Sequence, residues 1–295
     1  MRTLFIKELE KNFNKKNDFF ISGDLGFGVL DQFKKKFSSN YLNIGICEQT
    51  MIGFSAGLSE EYENVFVYSI SNFNTFRALE QVRNDICYQN KKIIIVSVGV
   101  GLSYGKLGTT HYGIEDLSII NSLPNINIYT PTNSTQIKSV IKKIKSNKNA
   151  SYVRLGRKHN LCDNFKLVNQ KGYQFLINQK NKFLIISSGY ISYYIFDLVA
   201  KNKIKTDLVD LYDLKEGIKN FIKLKINYKK IIVIEEHIIK GGVYSNLLLA
   251  IQNKNFDKSI ISFIGPDNEK LNTFGDHDYM ISKFINMRKL KKILC

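Results

Sequence analysis

The residues best suited to chemistry in this chain are one acid, one histidine and a few aromatic rings, each set among glycines. Glu48 is the sole acid of segment 43–58, NIGICEQTMIGFSAGL, where Gly45, Gly53, Ser55, Ala56 and Gly57 let backbone or a ligand approach closely. A carboxylate in such surroundings has to be protonated, hydrogen-bonded or paired, because a bare charge in low dielectric is costly. Taken alone, Glu48 reads equally as a helix N-terminal acid favoured by the macrodipole. His111 follows a glycine loop in GKLGTTHYGIEDL, Phe73 and Phe76 stand in SNFNTFRALEQVR, and Asp24 stands in GDLGFG. Singly these read as a loop histidine, core aromatics and a turn aspartate. Gathered in one crevice, a carboxylate, aromatic rings, a histidine and glycine loops suit a flat heteroaromatic cofactor.

The elements that have to position them alternate between strand and helix. A helix over MRTLFIKELEKNF precedes the strand FFIS; a strand ends near Ile44 and a buried helix starts at about Glu48. NVFVYSI, IIIVSVGV, INIYTPTN and ASYVRLG read as further strands, with helices in the aromatic-rich segment 71–90 and in TQIKSVIKKIKS. Alternation of this kind predicts an α/β fold with a mostly parallel sheet. Ligands of such sheets collect beyond the carboxyl ends of the strands, and Asp24, Glu48, Phe73 and His111 all follow predicted strands. After a polar stretch the pattern resumes, with strands predicted at 183–188, 206–212 and 231–236 and helices at 190–200 and after Gly241-Gly242. The expected organisation is two consecutive open, mostly parallel-sheet domains, 1–160 and 176–295, joined by a linker at 161–175.

Composition narrows the function classes. The net charge of +17 comes almost wholly from lysines scattered among Asn and Ile, with no nucleic-acid-binding motif, so solvated faces are expected and not a nucleic-acid partner. No apolar run approaches the roughly 20 residues of a membrane span, and the amino terminus lacks a signal-peptide apolar region. Four scattered cysteines without CxxC spacing fit a reducing cytoplasm and neither a zinc site nor a disulfide frame. The 6 arginines, Arg2, Arg77, Arg83, Arg154, Arg157 and Arg288, stand out in so lysine-rich a chain as places for a planar fork.

In order, GDLG, NIGICEQTMIGFSAGL, FNTFRALEQVR, GKLGTTHYGIEDL with LPNI, YVRLGR and finally VIEEHIIKGG resemble the C-terminal half of transketolase, most closely forms whose halves are separate chains. The resemblance spans essentially the whole chain. It implies a pyrimidine-binding domain followed by the transketolase C-terminal domain, and transfer of a two-carbon ketol unit with thiamine diphosphate. Glu48 then matches the glutamate that hydrogen-bonds N1′ of the aminopyrimidine and favours the tautomer that accepts the C2 proton. Phe73 and Phe76 match rings packed on the pyrimidine. Asp24 and Leu25 lie near the cofactor and the subunit contact, and His111 faces substrate hydroxyls as a proton carrier. Arg2 and Arg154 resemble arginines that hold a substrate phosphate.

Departures from the family are informative. The diphosphate and metal motif, GDG followed by Asn, does not occur in the sequence. The resemblance therefore implies a partner N-terminal subunit carrying that motif, Mg²⁺ (or Ca²⁺) held mainly by the partner, and an α2β2 assembly. Gly99 stands where many transketolases have a histidine, Gly28 where they have a phosphate-binding serine, and Leu107, beside Lys106, where they have an acid. Those replacements predict a roomier channel and a substrate other than a short sugar phosphate, for example a nucleotide-linked sugar. The rival readings are the β subunit of a 2-oxoacid dehydrogenase, a pyruvate-decarboxylating carboligase such as deoxyxylulose-phosphate synthase, and a catalytically silent regulatory subunit.

Overall fold

A computed structural model of the chain describes residues 1–156, 171–224, 227–252, 258–267, 273–285 and 287–294. Helix α1 (Arg2–Asn12) leads into β1 (Asp18–Ser22), α2 (Asp31–Lys36), β2 (Tyr41–Asn43), α3 (Glu48–Leu58) and β3 (Asn64–Ile70). Two π-helical turns, Phe73–Arg77 and Val82–Tyr88, flank the short α4 (Leu79–Gln81). Then come β4 (Ile93–Val98), α5 (Asp116–Asn121), β5 (Ile126–Tyr129), α6 (Ser134–Ser146) and β6 (Ala150–Leu155). All six strands are parallel, in the order β2-β1-β3-β4-β6-β5. Strands β3, β4 and β6 are buried nearly throughout, as runs such as IIIVSV must be when helices cover both faces. Helix α6 shows the reverse pattern: Ile137, Val140, Ile141 and Ile144 face the core, lysines face outward, and the Asn133 side chain caps it by accepting the Gln136 N–H at 2.8 Å.

The second half comprises β7 (Tyr173–Ile177), β8 (Phe183–Ser187), α7 (Ile191–Lys201), β9 (Asp207–Leu211), α8 (Leu214–Phe221), β10 (Lys230–Ile234), α9 (Val243–Ala250), β11 (Ile261–Ile264), α10 (His277–Phe284) and α11 (Met287–Leu294). Its sheet runs β11-β10-β8-β9-β7 and is parallel except for the antiparallel edge strand β7. The expected linker at 161–175 reaches too far, because β7 begins at Tyr173; most of that stretch, with the polar run before it, lies outside the described residues. The edge strand escaped sequence reading because YQFLI is short and its antiparallel pairing to β9 is non-local.

The two halves share one core. Leu117, Ile120, Ile126 and Ile128 of the first are continuous with Leu211, Leu214, Phe221 and Leu247 of the second. Polar groups at the junction are satisfied as well: Thr132 Oγ1 and Gln136 Nε2 each donate to Asp210 Oδ2 at 2.7 Å. Burial pushes the Asp210 carboxyl up to about 6, against those donors. No helix among the described residues is long and apolar enough to cross a membrane.

Candidate active site

Glu48 is the first residue of α3, just beyond the carboxyl end of β2, and its carboxylate is buried. Two partners hold it: Ser69 Oγ donates to Oε1 at 2.8 Å and Arg77 Nη1 donates to Oε2 at 2.6 Å. Gly23 allows this closeness, since a Cβ there would lie 3.3 Å from both Glu48 Oε1 and Ser69 Oγ. Arg77 comes from the π-helical turn after β3, and its guanidinium lies 4.2 Å from the centroid of the Phe73 ring. The widened turn presents Phe73 and Arg77 together toward α3, a device that recurs at functional sites. The result is a flat, N–H-bearing cation stacked on an aromatic ring and paired with a buried carboxylate.

From Phe73 the site continues through rings. Phe73 meets His111 edge-on at 5.4 Å between centroids, and His111 meets Tyr104 edge-on at 6.2 Å. Thr110 Oγ1 lies 2.9 Å from His111 Nδ1, and Asn72 Nδ2 donates to the Thr110 carbonyl at 3.1 Å, tying the histidine loop to the Phe73 turn. Asp24 sits at the rim with a left-handed backbone (φ 52), a conformation an aspartate tolerates. Its N–H donates to Asn43 Oδ1 at 3.0 Å, and Asn43 Nδ2 donates back to its carboxylate at 2.8 Å. Leu25 packs on the core under that rim, whereas Phe76 stays about half exposed.

Arg2, on α1, lies further along and lines a cavity of about 660 Å³ with Ser103, Tyr104, Lys106, Asp276 and His277. The chain therefore brings Glu48, Phe73 and His111 together, with Arg2 in the adjoining cavity; Asp24 and Leu25 follow Gly23, which borders Glu48, and Phe76 shares the turn of Phe73.

Arg154 does not join them. It lies within β6, whose six positions are all buried, and its guanidinium is bidentate to Asp116, Nε to Oδ2 at 2.7 Å and Nη2 to Oδ1 at 2.9 Å. Nη2 also donates to the Gly113 carbonyl at 3.3 Å, and Tyr152 Oη donates to Asp116 at 2.8 Å. His237 of the second half packs against this pair, and burial holds its imidazole down at about 4, hence neutral. The expected phosphate ligand is thus committed to an internal ion pair. Its place inside a strand was the signal to heed, because ligands gather beyond strand ends; Arg157, past that end, lies outside the described residues.

The expectation of a roomier channel also needs correction at one position. A Cβ on Gly99 would fall 1.8 Å from Tyr104 Cε2, so the tyrosine ring already fills that space. Gly28 is open, with nothing within 4 Å of its would-be Cβ, and Leu107 is exposed. Sequence reasoning passed over Ser69, Tyr104 and the pairing of Arg77, although an arginine four residues after Phe73 in a lysine-rich chain was a usable hint.

Known proteins resemble this chain in sequence and in fold. Residues 1–161 match the family "Transketolase, pyrimidine binding domain". Among curated proteins, the chain is 28% identical over 228 residues to a subunit of apulose-4-phosphate transketolase from Phocaeicola vulgatus, covering 74% of this chain and 72% of that one. The like-named protein of Actinobacillus succinogenes is 30% identical over 225 residues, 72% of this chain and 70% of that one. A putative transketolase C-terminal section of Methanocaldococcus jannaschii is 28% identical, covering 88% and 86%. Among solved structures, a split-gene transketolase in an inactive β4 tetramer superposes with a TM-score of 0.81 at 23% identity over 99% of this chain and 96% of that one. A Pichia stipitis transketolase in complex with sedoheptulose 7-phosphate gives a TM-score of 0.71 at 20% identity, over 96% of this chain and 43% of that one. With its parallel first sheet, its Glu48 crevice and a family match over more than half its length, the chain belongs to the transketolase pyrimidine-binding family.

Proposed function

We propose that this chain is the C-terminal subunit of a two-chain, thiamine diphosphate-dependent transketolase that moves a two-carbon ketol unit from a ketose to an aldehyde or ketone acceptor. The observation that carries the reading is the Glu48–Arg77–Phe73 arrangement. Phe73 and Glu48 meet the demands an aminopyrimidine makes, a ring to lie on and a carboxylate for a ring nitrogen, and the Arg77 guanidinium, stacked on the one and donating to the other, marks the place. Thiamine diphosphate, when bound, supplies a nucleophilic carbon and an electron sink for the transferred fragment. Glu48 takes N1′ of the pyrimidine, Phe73 and Phe76 cover its ring, and Asp24 and Leu25 border it. His111 holds or moves a proton at the substrate hydroxyls, and Arg2 takes an anionic substrate group; Arg154 stays paired with Asp116.

The partner follows from chemistry this chain lacks. With no GDG…N motif in the sequence, the diphosphate and its Mg²⁺ (or Ca²⁺) fall to an N-terminal subunit, in an α2β2 assembly. Exposed Phe27, Ile46, Phe54 and Phe76 lie on the segments that carry Asp24, Glu48 and Phe73, an apolar rim suited to a subunit contact. The related subunits named for apulose 4-phosphate support a ketose phosphate as one substrate. Relatives named 1-deoxy-D-xylulose-5-phosphate synthase, 27% identical over 86% of this chain, keep a pyruvate-decarboxylating alternative in view.

Reconstitution tests the reading. This chain, an N-terminal chain bearing GDG…N, thiamine diphosphate and Mg²⁺ should transfer a ketol unit from apulose 4-phosphate or xylulose 5-phosphate only when both chains are present. Turnover by this chain alone defeats the two-chain reading, and carbon dioxide release from pyruvate without ketol transfer favours the alternative.

Arg77 supplies a separate prediction. It occupies the two groups the pyrimidine needs, so binding has to break its pair with Glu48. Arg77→Ala should tighten thiamine diphosphate binding to the reconstituted complex by about 3- to 10-fold, the worth of one half-exposed ion pair. Calorimetric titration measures it; unchanged or weaker binding shows that Arg77 belongs to the loaded site.

A further inference from the structure

The reaction outlined above leaves one well-placed side chain unused. Tyr104 lies on the loop between β4 and α5, and its ring rests on bare backbone at Gly99, which leaves β4 in the left-handed region (φ 73). The two residues are a matched pair: any side chain at 99 evicts the ring, because its Cβ would sit 1.8, 2.2 and 2.9 Å from three ring carbons. From that perch the ring stands edge-on to His111 on one side and lines the cavity holding Arg2 and Lys106 on the other.

The loop is held firmly from the second half of the chain. Glu236 accepts the Leu102 N–H at 3.0 Å and pairs with His277 Nε2 at 2.6 Å. Tyr112 Oη donates to the Thr273 carbonyl at 2.5 Å. Gly105 lies so close to the C-terminal segment that a Cβ there would meet Met280 Cγ at 2.5 Å and the Gly275 carbonyl at 2.6 Å. Tyr104 is therefore presented by a braced loop, which is what a selective contact requires.

We infer that Tyr104 is a specificity-determining residue that contacts the hydroxylated chain of an anion-tipped sugar, between His111 at the reacting end and Arg2 at the anionic end. The inference rests on the transketolase-type reading of the same crevice. A phenol offers one donor, two acceptor lone pairs and a flat face for sugar C–H groups. Of the charged groups lining the cavity, Asp276 Oδ1 caps α10 by accepting the Tyr279 N–H at 2.9 Å, and His277 is engaged by Glu236. The lining sets Arg2 and Lys106 against a single carboxylate, Asp276, so its net charge is positive and favours an anionic ligand, and the guanidinium fork suits a phosphate. A wholly apolar ligand has no place there.

The test is binding of D-ribose 5-phosphate to the full chain, followed by titration calorimetry and saturation-transfer NMR, with D-ribose and inorganic phosphate as controls. Tyr104→Phe should weaken ribose 5-phosphate about 3- to 10-fold, the loss of one hydrogen bond, and Tyr104→Ala by about 10-fold or more. Gly99→Ala should reproduce the Tyr104→Ala loss by displacing the ring. Inorganic phosphate should respond to Arg2→Ala and ignore both Tyr104 variants. Tyr104→Phe keeps the ring on Gly99, so misfolding does not account for its effect. Equal affinity in wild type and both Tyr104 variants overturns the assignment, as does absence of wild-type binding. The measurement needs neither cofactor nor turnover. Tyr104-dependent binding without ketol transfer defeats the reaction reading alone, and ketol transfer with Tyr104-independent binding defeats this inference alone.

Discussion

Glu48→Gln should slow C2 proton exchange of thiamine diphosphate in the reconstituted complex by roughly 10²–10⁴-fold, about 3–5 kcal/mol of barrier. The amide keeps the shape and still accepts from Ser69 Oγ, which lies 2.8 Å from the carboxylate in the native chain. It loses the charge that makes the carboxylate a strong acceptor for a pyrimidine N–H, and it offers a donor in one of its two orientations. The fold should hardly respond. The lost ion pair has one partner, Arg77, whose side chain is 42% exposed, so its contribution is screened and worth about 1 kcal/mol or less. Quenched-flow NMR of the C2 proton, paired with a thermal unfolding curve, separates the two effects. Wild-type exchange in a folded Glu48→Gln complex removes Glu48 from the chemistry.

Asp116→Ala should be the most destabilising single change among the charged residues described above, lowering unfolding free energy by about 3–5 kcal/mol. The reason is asymmetric. Arg154 is only 6% exposed and relies on Asp116 for both of its short charge-assisted bonds, so the variant strands a buried guanidinium with one carbonyl partner. Removing both charges in Asp116→Ala/Arg154→Met exchanges the pair for apolar packing and should recover most of the loss. Urea unfolding of the three proteins measures this. A single-variant loss under about 1 kcal/mol would mean that Arg154 reaches solvent or a ligand, and would return it to the list of substrate contacts.

Much of this molecule was legible in one dimension because the physics behind it is local. Apolar runs such as IIIVSV and KIIVI become buried parallel strands wherever helices follow them, and Glu48 and His111, on the stretches that follow β2 and β4, were expected at the carboxyl ends of the strands. The ordered motifs from GDLG to VIEEHIIKGG identified the family and, through it, Glu48, Phe73 and His111 as neighbours.

Long-range contact decided the rest. Arg2 and Arg154 look alike in sequence, yet one lines a cavity and the other is sealed by an aspartate 38 residues away, because β6 is buried at every position. Gly99 reads as an empty place until the chain folds Tyr104 back over it. Arg77 stands out in the sequence as a place for a planar fork, but its partners appear only when a π-helical turn lays it across Phe73 and against Glu48. The strand order β2-β1-β3-β4-β6-β5 and the bracing of the His111 loop by Glu236 and His277 depend on crossovers and docking between residues far apart in the chain. Residue type and spacing determined which groups this protein has and which strands carry them. Which of those groups face a ligand and which face one another was set only when the two sheets closed on a common core, since burial and charge pairing are properties of packed surfaces and not of neighbours in sequence.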